Sequence, residues 1–277
     1  MPDKIYFDWK YIMRNSWVAP VLALAAGTGG AVLRKVELAT AFEEGSGLPV
    51  ADAPATVGLA VLSVAIVTAA AVFAALAVKK DKTPGTYHKA FYNHSFLSFM
   101  FSAFFGAVVS AASAVFFLRP SGIGISGVPF IIFSIFAVLA GLSIIMLAMN
   151  GFTQKKSPGT VLFAVIPPVF FCFWLAVMYR DYAACPTIIE YCYRCLAIAF
   201  CALAFYYAAG YAFGRAKPKM TVTMHLVAIF FICVTLADNW PLVQQLLLAA
   251  TLGFLFQNSV RFLRSVDHGP PKHLASK

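Results

Sequence analysis

The chain has 277 residues, of which 61% are hydrophobic and only 12% charged, with a mean hydropathy of +0.81. A soluble domain carries charge on about a quarter of its residues, and one this apolar would expose patches that drive aggregation, so an ordinary soluble protein is excluded. The net charge of +10 does not imply nucleic-acid binding, because the basic residues stand in short gaps between apolar runs rather than on the folded polar surface that phosphate contacts require. The 27 phenylalanines suit lipid-facing surfaces and helix packing and specify no chemistry.

In chain order, the opening is polar or mixed and includes Asp3 and Asp8. A cleaved signal peptide would have a short basic start and a 7–15-residue apolar core, so the first apolar run reads as an uncleaved signal-anchor. A spanning helix needs about 20 mostly apolar residues. By that measure there are eight runs, at 16–38, 54–78, 90–118, 128–150, 160–179, 187–214, 221–238 and 241–263. The first carries Gly27, Gly29 and Gly30 inside it and Arg34 and Lys35 near its end.

Proline marks the same divisions. It is tolerated in the first helical turn, where its missing N–H would be unpaired anyway, and Pro54, Pro84, Pro129, Pro158, Pro186, Pro218 and Pro241 each stand at or beside an expected start. Thr83 and Ser157 read as N-caps, and Thr187 with Glu190 as a capping box. The expected fold is an all-α polytopic membrane bundle of about eight transmembrane helices, forming one transmembrane domain over 1–277 with a short basic tail at 264–277.

Orientation follows from Lys and Arg counted in alternate loops. One set holds 16 of them and the other, Arg34, Lys35, Arg119, Arg180 and Arg194, holds 5. The richer set, with both termini, is expected in the cytoplasm, which makes the location a cytoplasmic-type cell membrane. Lys82-Thr83-Pro84-Gly85-Thr86 recurs as Lys156-Ser157-Pro158-Gly159-Thr160, with a looser echo from Lys217 to Thr221. This reads either as a duplicated helix-pair unit, as in many transporters, or as independent use of the same loop chemistry.

No nucleotide-binding loop, Ser/His/Asp spacing or zinc-protease motif is present, and the gaps leave no room for a soluble catalytic domain. No cofactor or metal is expected, and the sequence favours a non-enzyme over the remaining alternative, a membrane-embedded enzyme or electron carrier. Ionisable groups deep in the spans look nearly absent, which argues against a proton-coupled pump. His88, His94 and His225 read as interfacial residues, with His94 and His225 the candidate pair for a haem or metal. Cys192 and Cys195 form a CxxC spacing with Cys185 nearby; packing cysteines or a bridge from Cys185 to one of the pair are the alternatives. Glu190 and Arg194 are expected to pair at i, i+4. Gly106, Ser110 and Ala114 form a small-residue stripe suited to close helix packing.

Two function classes remain, a small-solute transporter or permease-like protein and a non-catalytic membrane subunit acting as sensor or assembly partner. Expected partners are the lipid bilayer, with other membrane proteins or a second copy of the chain, and no nucleic acid. Pro167 and Pro168 should free the carbonyls one turn earlier. A ligand cavity is therefore expected beside Phe163, Ala164, Pro167 and Pro168, with its mouth near Asp238 and Gln244.

Overall fold

The computed structural model describes residues 16–43, 48–50, 52–78, 84–93, 95–118, 128–153, 159–182 and 187–268. Nine helices and no strand occur among them: α1 (Val18–Thr40), α2 (Pro54–Ala77), the single turn α3 (Tyr87–Ala90), α4 (Phe96–Leu118), α5 (Val128–Thr153), α6 (Gly159–Tyr182), α7 (Ile188–Ala209), α8 (Pro218–Thr235) and α9 (Leu242–His268). Seven, α2 and α4 to α9, are long and apolar enough to cross a membrane. The exception among the long helices is α1, whose last turns hold Arg34, Lys35 and Glu37.

Short connections force neighbouring helices to reverse direction. The gap from α6 to α7 covers 183–187, which reaches at most about 20 Å, whereas each helix exceeds about 30 Å. Helices α4, α5, α6, α7, α8 and α9 each pack on the next, and α9 returns to α4, so the six close into a ring; α1 and α2 pack on the outside of α8. With neighbours on all sides, α8 is buried at every residue from Val227 to Thr235, as expected for a helix that is apolar all round. Aromatic rings fill the middle. Phe171 stacks on Phe205 at 5.5 Å and Phe205 on Phe254 at 5.8 Å, while Trp174 meets Phe133 at 5.5 Å and Trp240 at 6.1 Å. Many of the phenylalanines therefore serve the core rather than the lipid face.

Two helix pairs approach closely because they lack side chains at the crossing. A Cβ on Gly27 would lie 2.6 Å from Cys233 Cβ, so α1 sits directly against α8. A Cβ on Gly141 would fall 2.6 Å from the Ser110 nitrogen, and Ser110 Oγ donates to the Val138 carbonyl at 3.2 Å; the small-residue stripe of α4 thus meets α5 as its sequence suggests.

Several boundaries differ from the sequence reading. The third run begins as a helix at Phe96 rather than at 90, because Asn93 is drawn to the end of α5: its N–H donates to the Gly151 carbonyl at 3.1 Å and its Nδ2 to the Ala148 carbonyl at 2.7 Å. The Gly151 carbonyl is one of those that α5 leaves open at its end. The sixth run stops at Ala209 rather than 214, where the Arg215 N–H closes onto the Gly210 carbonyl at 2.8 Å with Gly214 at φ 68°, a Schellman-type turn. Pro54 and Pro218 open their helices as expected. Thr187 is the N-cap of α7 but makes no side-chain cap; instead the Glu190 N–H reaches the Thr187 carbonyl at 3.3 Å. Thr83, Ser157, His94, Cys185 and most of the recurring Lys-Thr/Ser-Pro segment lie outside the described residues.

Candidate functional site

The close contact of α1 with α8 brings Gly27, Gly30, Arg34 and Glu37 onto one buried face of α1. This corrects the reading that ionisable groups are nearly absent inside the bundle. Arg34 and Glu37 are fully buried, Asp238 is 2% exposed and Arg194 9%. The hydropathy pattern places Arg34 and Lys35 near the end of the first apolar run and counts both with the loop that follows. In the fold α1 continues past them, with Lys35 exposed and Arg34 turned inward.

Asp238 is the hub. Its Oδ1 accepts from Arg34 Nε at 2.8 Å and its Oδ2 from Arg194 Nε at 3.0 Å. Arg34 Nη1 also donates to Glu37 Oε2 at 2.7 Å and to the Ile189 carbonyl at 3.1 Å, and Nη2 donates to the Glu190 carbonyl at 2.6 Å. Arg194 Nη1 donates to the Tyr182 hydroxyl, so the ion pair of Arg194 runs to Asp238 rather than along its own helix to Glu190. Aromatic faces complete the enclosure, with the Arg34 guanidinium 5.1 Å from the Tyr193 ring centre and that of Arg194 4.9 Å from Trp240, a favourable placement for a desolvated cation. Two guanidiniums and two carboxylates balance in charge. Hydrogen bonding does not balance: Glu37 Oε1 and Trp240 Nε1 are buried with no hydrogen-bond partner among the described residues.

A second polar cluster lies toward the opposite end, between α4 and α9. Arg261 is 4% exposed. Its Nη2 donates to the Ser98 carbonyl at 2.6 Å, to Ser98 Oγ at 3.1 Å and to Ser102 Oγ, while Nη1 reaches Asn258 Oδ1 at 3.3 Å. Gln257 shares these partners, donating to the Ser98 carbonyl at 2.7 Å and accepting from Ser102 Oγ at 2.7 Å. No carboxylate of the described residues is within ion-pair distance of Arg261. Nearby, burial pushes the Tyr87 hydroxyl well above the usual tyrosine range, and the positive charge of Arg261 partly offsets the shift. His225 is buried, stacked on Phe91 at 6.3 Å, with Nδ1 2.8 Å from the Thr221 carbonyl and Nε2 without a hydrogen-bond partner among the described residues. Among the described residues no three His, Cys, Asp or Glu side chains group as metal ligands would.

The third feature is a cavity of about 900 Å³ between α6 and the end of α7, bordered by Pro168, Cys172, Tyr206, Tyr207, Arg215 and Lys217. Of the residues expected to line a ligand site, Pro168 borders this cavity; Ala164 and Pro167 are buried on α6, and Phe163 is half-buried. Helix α6 runs through both prolines without interruption. Asp238 belongs to the ion network and Gln244 is buried at the start of α9, both away from the cavity lining. Sequence reasoning missed Arg34, Glu37 and Arg194 as a unit. The available signal was spacing, since 27, 30, 34 and 37 recur on a single helix face.

Comparison with protein-family models, with curated proteins and with solved structures finds no match for this chain.

Proposed function

We propose that the chain is a permease-like membrane protein that moves a small solute, with the Arg34–Glu37–Arg194–Asp238 network acting as the latch of one end. The observation that carries this reading is the burial of four ionisable side chains where α1, α7 and the α8–α9 connection meet. Stability alone does not require them, because well-packed apolar residues often do as well or better at such positions. Ionisable groups inside a membrane bundle usually mark a transport path or coupling site. The unpartnered Glu37 oxygen costs about 1–3 kcal/mol and offers an acceptor to a proton or to a donor group on the solute.

Helix α7 carries the latch into the middle of the bundle. Arg194 near its start is held by Asp238, and Phe205 further along it stacks on Phe171 and Phe254, so release of the latch would let α7 rock about the aromatic core. In this reading α1 spans as an eighth helix, its charges balanced within the network, and the basic loops with both termini face the cytoplasm.

The test is uptake of an isotope-labelled extract of water-soluble metabolites by proteoliposomes, read by mass spectrometry. The comparison is between the wild type and a variant carrying Arg34→Met, Glu37→Leu, Arg194→Met and Asp238→Leu. The expected result is a folded, monodisperse variant whose uptake falls to that of protein-free liposomes. The proposal fails if the wild type accumulates nothing above that level, or if the apolar variant transports equally well. A stoichiometric partner retained during purification, together with no uptake, would instead favour a non-catalytic subunit.

A further inference from the structure

The cavity beside α6 is open to the flank of the bundle rather than sealed within it. Val169 is 43% exposed and Tyr206 61% exposed, and both border it. On a membrane-spanning helix such a flank faces lipid. Its wall follows α6 from Val165 to Cys172, about 10 Å at 1.5 Å per residue. That wall is apolar, and Arg215 and Lys217 stand where the cavity reaches the α7–α8 connection. Among the described residues neither cation has a carboxylate within ion-pair distance. Lys217 is also the N-cap residue of α8, whose first turn has no side-chain cap and no acidic residue, so the positive end of that helix adds to the same corner. The volume, about 900 Å³, falls within the range of sites that enclose a drug-sized ligand.

We propose that this groove seats an anionic phospholipid, with its phosphate at Arg215 and Lys217 and its acyl chains along Pro168, Val169, Cys172 and Tyr206. The charge pattern supports this occupant over a water-soluble anion: the cations lie at one end only, and the remaining wall would be an unfavourable surface for a hydrated solute. The inference holds whether or not the chain transports a solute.

The test uses full-length protein in detergent, offered phosphatidylglycerol and phosphatidylcholine in equal amounts, with retained lipid measured by mass spectrometry after gel filtration. Each cation near a membrane surface contributes about 1 kcal/mol toward anionic lipid, so the wild type should prefer phosphatidylglycerol by about 30-fold, which is about 2 kcal/mol at 1.4 kcal/mol per tenfold. Arg215→Gln with Lys217→Gln should abolish the preference, and Arg215→Lys with Lys217→Arg should keep it. Cys172→Trp, at an exposed position that narrows the apolar part, should lower retention of both lipids. Equal retention of the two lipids by the wild type would overturn the proposal. So would displacement of bound lipid by inorganic phosphate, or a Cys172→Trp variant that retains lipid as the wild type does.

Discussion

Arg34 is held between Glu37 and Asp238 and Arg194 by Asp238 at one end of the bundle, whereas Arg261, toward the other end, is held among the described residues by serine, asparagine and carbonyl oxygens. All three are buried. At the first site charge is neutralised by charge, and each carboxylate is needed. At the second the cation is solvated by neutral dipoles, and Gln257 contacts most of the same acceptors. The first arrangement should therefore fail abruptly when one member is removed, and the second should degrade gently. Switch-like behaviour is expected where a network breaks as a unit, which is why the proposed latch is placed at the Asp238 end.

The largest expected effect is that of Asp238→Ala. Among the described residues it leaves Arg34 with Glu37 and Arg194 with no carboxylate, and removing one partner from a buried ion network costs about 3–5 kcal/mol. Thermal unfolding in detergent, followed by fluorescence-detected gel filtration, should show little or no folded protein near the wild-type transition. A folded variant with wild-type stability would contradict the hub role.

Gly27→Ala should come next. The added Cβ meets Cys233 Cβ at 2.6 Å, which pushes α1 away from α8 and takes Arg34 with it. Overpacking of this kind costs about 1–3 kcal/mol. Gly29→Ala, two residues along on a face where a Cβ meets nothing within 4 Å, is the control and should be neutral or slightly stabilising through helix propensity. Equal effects of the two substitutions would mean that contact with α8 does not position the network.

Arg261→Met tests the other end. Ser98 and Ser102 keep Gln257 as a partner, so the main loss is one acceptor, Asn258 Oδ1. Leaving a buried acceptor unpaired costs about 1–3 kcal/mol, and removal of a buried cation that has no carboxylate partner among the described residues offsets part of that. The same unfolding measurement should give a loss well below that of Asp238→Ala. A loss as large would mean that Arg261 is paired with an acid after all.

The contrast between the two ends was only partly legible in the sequence. The long apolar runs at 54–78 and 128–150 are found as α2 and α5 because crossing a bilayer sets a minimum length that composition alone reveals. The break at 91–95 was not legible, since it depends on Asn93 reaching the end of α5, a contact 55 residues away in sequence. Arg34 was misread because its neighbour Lys35 is exposed, and a hydropathy average treats the two as one polar patch although they point to opposite sides. Asp238 was recognised as a polar residue of interest, but its partners come from α1 and α7, and no local spacing announces them. Arg261 looked like an ordinary basic residue at a helix end; its burial follows from the packing of α9 on α4.

The smallest effect is expected at Arg180, which isolates what burial adds. Arg180 Nη2 lies 3.0 Å from Asp181 Oδ1, the same separation as between Arg194 and Asp238. Arg180 is also only two residues from Tyr182, the hydroxyl partner of Arg194, so the two pairs share one end of the bundle. The difference is exposure: the Arg180 side chain is 54% exposed and that of Asp181 26%, against 11% and 0% for Arg194 and Asp238. Water and salt screen the first pair, and such pairs contribute about 0–1 kcal/mol. Arg180→Ala should therefore shift stability by less than about 0.5 kcal/mol, and added salt should erase what remains. Arg194→Ala should be salt-insensitive and severalfold larger. If the two substitutions prove equal, the distance between charges rather than their removal from solvent governs this end of the bundle, and the latch would have no more reason to be at Asp238 than at Asp181.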